Sequence, residues 1–224
     1  MNSDKKHVLI TGASGLLGHY LTQQFSDCRL TRLGRGEECE IKCDLEKETP
    51  DFTDVFSSGL DLVVHAAGTE EESHALSLNL EGTKRLLEAL SKVKVKQFVY
   101  ISSTAVYGKT EGTDITEDYH LWTGNKVGQS KVLAEEEVQK KCGESGTICT
   151  ILRPATMFGK EMKGWGQRMA GQVLTGSYFN IRDNDAKVSL VTAYDVARLI
   201  PLIAPIGGIY NVSDGISHSL QDLA

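Results

Sequence analysis

The sequence predicts an α/β fold, a Rossmann-like doubly wound parallel sheet, and three observations support this prediction. Short β-branched apolar runs alternate with longer segments of helical periodicity, which is typical of strands joined by covering helices. A glycine-rich turn follows the first apolar run and opens the first helical segment. The chain has 224 residues, of which 40% are hydrophobic, and this is enough for one domain with a sizeable core.

The sheet is predicted from five apolar runs. They occupy residues 7–11, 29–33, 61–67, 96–102 and 147–153. The best-defined helix is expected over residues 76–90, between the third and fourth of these strands. Its apolar stripe consists of Leu76, Leu80, Thr83, Leu87 and Leu90.

Residues 10–21, ITGASGLLGHYL, place Gly12, Gly15 and Gly18 between the first strand and the first helix. In a dinucleotide-binding turn the first glycine permits a tight turn, the second lets the backbone approach a pyrophosphate, and the third lets helix and sheet pack closely. The start of the helix then offers free N–H groups and a positive dipole end to the anion. Both flanking elements are present, so the sequence indicates a dinucleotide site.

The end of the second strand bears on which dinucleotide is bound. NAD-binding proteins usually carry an acid there, which bonds the ribose 2′-hydroxyl. Here that position holds Gly34, with Arg32 before it and Arg35 after it, and a guanidinium can pair with a 2′-phosphate. The sequence therefore favours NADP, with NAD as the alternative. On the opposite interpretation both arginines are solvated surface residues.

Beyond Pro154 the pattern becomes irregular. The elements predicted there are helices over 162–176 and 194–203, a strand over 187–192, a strand and turn over 208–215, and the beginning of a helix over 218–224. We expect Asp195 to cap the second of these helices and Pro201 to shorten or kink it. We assign residues 1–155 to a dinucleotide-binding Rossmann domain. Residues 156–224 form a partial substrate-binding region interleaved with the last sheet elements, which we interpret as truncated.

Composition argues against several classes of function. A net charge of -6 without a long Lys/Arg run disfavours a nucleic-acid partner. No apolar run approaches the roughly 20 residues of a membrane span, and the N-terminal apolar run is too short for a secretory signal. The five cysteines have no CxxC spacing, which predicts reduced thiols and a cytoplasmic protein.

Seven blocks follow one another in an order that points to a family. They read TGASGLLG, CDL, DLVVHAAG, NLEGT, YISSTAVYG, SKVLAE and LRPATMFG. With these blocks the chain resembles the extended short-chain dehydrogenase/reductases, the NAD(P)-dependent epimerases and dehydratases that mostly act on nucleotide sugars. The resemblance implies hydride transfer in an epimerase, dehydratase or reductase, with a small-molecule substrate such as a nucleotide sugar. It also suggests a homodimer formed through the two long helices.

The resemblance assigns roles to individual residues. Ser103 matches the catalytic serine and would polarise the substrate oxygen, Lys131 matches the catalytic lysine and would bond the nicotinamide ribose, and Asn79 would fix the geometry beneath the active site. The residues implied for cofactor binding, besides Arg35, are Gly12, Ser14, Gly15, Leu16, Leu17, Gly18, Asp44, Leu45, Ala66, Ala67, Gly68, Lys131, Pro154 and Ala155.

The chain departs from the family at the catalytic base. The family carries a tyrosine four residues before the lysine, on the same helix face. Here that position is Val127, whose side chain has no group that can accept or donate a proton. Three interpretations remain open. Tyr107 or Tyr119 replaces the base; the protein binds cofactor without redox chemistry, as a sensor or scaffold; or the chain is a variant of an enzyme that carried the tyrosine.

Further candidates each have a structural and a functional interpretation. His65 is either packed in the sheet or catalytic. Trp122 and Trp165 either stack on a nucleotide base or pack against the protein. Arg168 or Arg182 either pairs with a substrate diphosphate or lies on the surface.

Overall fold

The computed structural model describes residues 5–53, 55–108, 112, 114–122, 124–160, 162, 167, 171–172, 175 and 187–219. The strands are β1 (His7–Thr11), β2 (Arg29–Gly34), β3 (Ile41–Lys42), β4 (Leu60–His65), β5 (Val95–Ile101), β6 (Ile148–Pro154), β7 (Thr156–Phe158), β8 (Lys187–Thr192), β9 (Gly208–Val212) and β10 (Ser217–Ser219). The α-helices are α1 (Leu16–Gln24), α2 (Thr83–Leu90), α3 (Lys126–Ser145) and α4 (Ala193–Ile203). A π-helix (Ala75–Gly82) precedes α2, and a 3₁₀ turn (Thr104–Tyr107) follows β5.

The central sheet confirms the predicted fold class. Its seven strands are all parallel and lie in the order β3-β2-β1-β4-β5-β6-β9. The chain first builds outward from β1 through β2 and β3, then returns to the other side of β1 with β4. In such a sheet ligands bind outside the carboxyl ends of the strands at the point of reversal, which here lies between β1 and β4.

Alternate side chains of the buried strands enter two separate core layers. Val8 and Ile10 of β1 belong to the layer that contains residues of α1 and α4. Leu9 belongs to the layer on the other face, which contains residues of α2 and α3. Continuous apolar strands therefore arise because helices cover both faces of the parallel sheet.

The helix predicted over 76–90 exists, but its first half is a π-helix. This changes the predicted stripe: Leu80, Thr83, Leu87 and Leu90 are buried, whereas Leu76 is 40% exposed. A π-helix closes its hydrogen bonds over five residues, so a stripe spaced for an α-helix loses its alignment there. Short π-helical insertions in α-helices are frequent at functional sites.

The region after Pro154 corrects several expectations. Thr192, rather than Asp195, caps α4: its Oγ1 accepts a hydrogen bond from the Asp195 backbone N–H at 2.9 Å and contacts the Asp195 carboxylate at 2.6 Å. Pro201 lies inside α4 and does not end it. Residues 217–219 form β10 instead of opening a helix, because they pair with β8. Residues 220–224 and most of the helix predicted over 162–176 lie outside the described residues.

The C-terminal region contributes to the main sheet as well as to a small second sheet. β9 pairs with β6 at the edge of the main sheet, while β10, β8 and β7 form the second sheet. The division at residue 155 remains a prediction. Among the described residues, no helix combines the length and apolarity needed to cross a membrane.

Candidate functional site

A cleft of about 530 Å³ lies where β1, β2 and β4 end. The predicted cofactor residues that line it are Gly12, Ser14, Gly15, Arg35, Asp44, Leu45, Ala66, Ala67 and Gly68. Lining residues that the sequence did not reveal are Leu33, Gly34, Cys43, Glu46, Thr69, Glu71, His74 and Leu78. The cleft therefore occupies the position expected from the reversal of strand order.

The glycine turn has the geometry that a pyrophosphate needs. Gly12 has φ +72°, and a Cβ there would lie 2.7 Å from the backbone of Ala66 and Ala67. A Cβ on Gly18 would lie 2.1 Å from the Gly12 carbonyl oxygen, so this position holds α1 against the turn. No side chain caps α1 at Gly15, and its first turn contains no acid. The helix start is thus open to an anion that enters the cleft.

A buried hydrogen-bond relay runs behind the cleft through His65. The Ala67 backbone N–H donates to Thr11 Oγ1 at 3.1 Å, and Thr11 Oγ1 lies 2.6 Å from His65 Nδ1. On the other side, His65 Nε2 lies 2.9 Å from Thr83 Oγ1, which donates to the Asn79 carbonyl oxygen at 2.5 Å. Because the Thr83 hydroxyl donates to Asn79, it accepts from a proton on His65 Nε2, and the Thr11 hydroxyl can donate to Nδ1 of the neutral imidazole. Burial, reinforced by the nearby lysine ammonium, lowers the pKa of His65 to about 3.

Lys131 lies directly beneath the wall of the cleft. Its Nζ donates to the Ile101 carbonyl oxygen at 2.9 Å, and a Cβ on Gly68 would stand only 3.0 Å from that Nζ. Glycine at position 68 therefore lets the cleft wall approach the ammonium. Burial lowers the pKa of Lys131 to about 8, while the carboxylates of Glu135 and Glu70 oppose that shift.

Asn79 fastens the cleft wall to α3. Its Oδ1 accepts from the Thr69 backbone N–H at 2.8 Å, and its Nδ2 donates to the Thr69 carbonyl oxygen and to Ser130 Oγ, each at 3.0 Å. Ser130 Oγ in turn donates to the Val127 carbonyl oxygen at 2.8 Å. All polar atoms of the buried amide are satisfied, which fixes the position of α3 relative to the wall.

Ser103 and the start of α3 meet at the predicted reaction end. Ser103 Oγ accepts from the Ala105 backbone N–H at 3.1 Å, which leaves its hydroxyl proton available to another acceptor. A Cβ on Gly128 would lie 2.5 Å from the Ala105 carbonyl oxygen, so the first turn of α3 packs directly on the 3₁₀ turn. Val127 is half-buried at the second position of α3, one turn before Lys131.

The two tyrosines proposed as substitutes for the base lie in a neighbouring cluster. The Tyr107 hydroxyl donates to Asn211 Oδ1 at 2.7 Å and accepts from Arg153 Nη1 at 2.9 Å, and the side chain is buried. The Tyr119 ring packs edge-on against Tyr107, with ring centroids 6.1 Å apart, in the cluster that contains Val132. Tyr107 is therefore engaged in a structural network.

An ion pair with both side chains only 2% exposed organises this region, and no local pattern in the sequence indicates it. Arg153 Nη2 lies 2.7 Å from Glu135 Oε2, and Arg153 Nε donates to Oε1 at 3.1 Å. Arg153 also donates to the Glu117 carbonyl oxygen at 3.0 Å, and the Glu117 carboxylate accepts from the Asn211 backbone N–H at 2.7 Å. These bonds tie β6, α3, β9 and the segment around Glu117 together.

The two arginines near the end of β2 have different surroundings. Arg32 is held by Glu40, with Nη2 and Oε1 2.6 Å apart. Arg35 lines the cleft and, within the described part of the chain, has no carboxylate partner. At the same end, His74 Nδ1 lies 2.6 Å from Glu46 Oε1, and this carboxylate raises the pKa of His74. Of the two arginines, Arg35 is the one placed to meet a phosphate.

The remaining predicted residues stand outside the lining of the cleft. Leu16 and Leu17 pack into the core behind the glycine turn, and Ala155 is buried just beyond β6, which Pro154 ends. Their roles in cofactor binding stay predictions. Trp165, Arg168 and Arg182 lie outside the described residues. Among the residues that are described, no group of three or more His, Cys, Asp or Glu side chains could hold a metal ion.

The sequence profile of the NAD dependent epimerase/dehydratase family matches residues 8–213. The chain belongs to this family. It is 33% identical over 185 residues to a UDP-glucose 4-epimerase of Bacillus subtilis, covering 70% of this chain and 54% of that protein. It is 29% identical over 264 aligned residues to a 3-beta-hydroxysteroid dehydrogenase of Mycolicibacterium neoaurum, covering 100% of this chain and 70% of that protein. The chain thus spans about half the length of the first relative.

Solved structures of this family share the fold. MoeE5 in complex with UDP-glucose and NAD superimposes with a TM-score of 0.84 at 24% identity, covering 97% of this chain and 79% of that one. RMD from Pseudomonas aeruginosa complexed with NADPH superimposes with a TM-score of 0.79 at 23% identity, covering 98% of this chain and 79% of that one. At this level of identity the likeness concerns the fold.

Proposed function

We propose that the chain binds NADP, or alternatively NAD, in the cleft and serves hydride transfer at a hydroxyl or ketone carbon of a small molecule. The observation that carries the proposal is the uncapped start of α1, which lies beside a glycine turn whose close packing leaves no room for side chains. This arrangement suits a pyrophosphate. When bound, the nicotinamide supplies the hydride donor or acceptor that amino-acid side chains lack.

The substrate class follows from the relatives. UDP-glucose epimerases and a steroid dehydrogenase both match the chain, and both substrates carry a secondary alcohol on a saturated ring. We favour a nucleotide sugar, because epimerases predominate among the matches and MoeE5 holds UDP-glucose. Epimerisation, dehydration and simple reduction share the same first hydride step, so each fits this site.

The chain's own residues have distinct roles in this scheme. Ser103 has a free hydroxyl proton with which to polarise the substrate oxygen. Lys131, whose ammonium lies behind Gly68 of the cleft wall, would hold the nicotinamide ribose and stabilise negative charge on that side of the cleft. Asn79 keeps α3, which carries Lys131, in register with the wall of the cleft. These three residues bind and position the reactants. The reaction also needs a base that removes the hydroxyl proton, and none of the three has that role.

Val127 favours a second candidate, a protein that binds the cofactor without redox turnover. The side chain has no acid or base function, and the nearby Tyr107 hydroxyl is engaged by Asn211 and Arg153. General acid–base catalysis typically contributes a factor of about 10² to 10⁴, so its loss would reduce turnover to a small remainder.

A tyrosine introduced at position 127 distinguishes the two candidate functions, hydride transfer and cofactor binding without turnover. The parent and Val127→Tyr would be assayed with NADP and NAD against UDP-glucose, UDP-N-acetylglucosamine and a 3β-hydroxysteroid. We expect Val127→Tyr to turn over at least 100-fold faster than the parent with one of these substrates. Val127→Phe is the matched control, since it adds the ring without the hydroxyl. Equal and measurable turnover by all three proteins would show that another group acts as the base, and Tyr119→Phe would then be tested.

Cofactor preference is tested at the two arginines. We expect Arg35→Ala to weaken NADPH binding by about tenfold and to leave NADH binding unchanged, because a phosphate–guanidinium pair is lost. Arg32→Ala is the matched control, since Arg32 is already paired with Glu40. Equal loss of NADPH and NADH affinity in Arg35→Ala would argue against the 2′-phosphate assignment.

A further inference from the structure

Trp122 lies against two glycines that come from different parts of the chain. A Cβ on Gly108 would lie 1.9 Å from Trp122 Cε3, and a Cβ on Gly124 would lie 1.8 Å from Cη2 of the same ring. No side chain larger than hydrogen fits at either position while the indole stays in place. Gly108 also has φ +59°, a conformation that favours glycine. The six-membered ring of the indole therefore packs against the backbone of both Gly108 and Gly124.

The residue is fixed at its backbone but half-exposed at its ring. The Trp122 backbone N–H donates to the Val106 carbonyl oxygen at 2.9 Å, and the preceding Leu121 packs into the cluster around Val106. The side chain is nevertheless 52% exposed. Among the residues that the structure describes, its indole N–H has no hydrogen-bond acceptor. Tryptophan commonly combines a large apolar face with one polar contact at binding surfaces.

The two glycines that contact the indole belong to segments that carry predicted catalytic residues. Gly108 closes the turn that begins at Ser103, and Gly124 comes just before Asn125, whose side chain caps α3. The two segments that hold the ring are thus the one that carries Ser103 and the one that leads into Val127 and Lys131.

We propose that Trp122 is a specificity-determining residue that stacks on a saturated six-membered ring of the substrate. Axial C–H groups of such a ring carry partial positive charge and pack against the negative face of an indole, while the indole N–H donates to a ring hydroxyl. The ring comes either from the hexose of a nucleotide sugar or from a sterol, and both share this chemistry. The inference rests on the proposed function, because it needs that cleft to take a substrate.

The test uses the full chain with Trp122 as its sole tryptophan. The chain has two tryptophans, so Trp165→Phe leaves the fluorescence of Trp122 alone. UDP-glucose, UDP without the sugar, and a soluble 3β-hydroxysteroid would be titrated in turn. We expect one ring-containing probe to change the fluorescence, and UDP to change it much less. Calorimetry should then give about tenfold weaker binding of that probe to Trp122→Ala, and a change of no more than about threefold for Trp122→Phe, which keeps an aromatic face.

Two controls separate the proposal from the proposed function and from misfolding. NADPH binding should be the same in Trp122→Ala as in the parent, since Trp122 is outside the lining of the cofactor cleft. Leu202→Ala removes another exposed apolar side chain, on α4, and should leave all affinities unchanged. Response to UDP-glucose or to the steroid identifies the source of the ring, and either supports the proposal.

Two results would overturn it. The first is equal affinity of the parent and Trp122→Ala for the ring-containing probe. The second is a parent that binds NADPH but neither ring, which leaves the cofactor site standing without the stacking role. A parent that binds no cofactor contradicts the proposed function itself, and the stacking role with it.

Discussion

Acid should destabilise this fold through His65. The imidazole is fully buried, and its two nitrogens are bonded to Thr11 and Thr83 in the neutral form. Protonation would place a second N–H at Nδ1, facing a Thr11 hydroxyl that already accepts from the Ala67 backbone, and would add a charge near Lys131. The folded state therefore resists proton uptake much more strongly than the unfolded chain does.

The size of the effect follows from the two pKa values. An unfolded histidine titrates near 6.5, whereas the pKa of folded His65 is about 3. The contribution to stability is thus complete above pH 6.5 and is lost as the pH falls from 6.5 to about 3. A pH of 4.5 lies about two units below the pKa of the unfolded histidine. At this pH, protonation of that histidine stabilises the unfolded state by roughly 2.7 kcal/mol.

Urea unfolding of the parent and of His65→Gln at pH 7 and pH 4.5 measures this contribution. Glutamine keeps one donor and one acceptor, so we expect a loss of about 1–2 kcal/mol at pH 7 from imperfect packing. Between pH 7 and pH 4.5 the parent should lose roughly 2–3 kcal/mol more than the variant does, since the carboxylates titrate in both. Equal losses in the two proteins would refute the argument that His65 is held neutral.

Other substitutions test the packing of the site. Gly18→Ala should abolish NADPH binding or folding, because its Cβ would lie 2.1 Å from a backbone oxygen of the glycine turn. Gly143→Ala, on an open face of α3, is the control and should keep both NADPH binding, measured by fluorescence, and folding, measured by circular dichroism. Glu135→Leu should lower the free energy of unfolding by about 3–5 kcal/mol, because it leaves Arg153 buried and unpaired. The double variant with Arg153→Met should recover much of that loss in urea unfolding, and a double variant as unstable as Glu135→Leu would contradict this account.

The fold and the cofactor cleft are predictable because their signals are local. Buried parallel strands have continuous apolar runs, and β1, the glycine turn and α1 are adjacent in sequence. The family blocks add Asp44 and Ala66 to Gly68, and these residues line the same cleft. Arg35, which follows β2 directly in the sequence, also lines this cleft, and its role toward a phosphate stays a prediction.

The polar networks were not predictable because their partners are far apart in the sequence. Thr11 and His65 are 54 residues apart, and Arg153 reaches Glu135 across 18 residues and Tyr107 across 46. Only the folded sheet shows that these side chains meet. The π-helix before α2 leaves no periodic signal distinct from an α-helix. By contrast, the Thr192 cap has a local signal that was missed, a threonine three residues before an acid.

The most direct test of the central claim is a fluorescence titration of the parent chain with NADPH and NADH. We predict saturable binding with enhanced nicotinamide fluorescence, tighter for NADPH than for NADH, and displacement of the bound dinucleotide by excess NADP. Binding of neither dinucleotide by the folded chain would contradict the account, because the open start of α1 and the glycine turn would then have no ligand of the class their geometry suits.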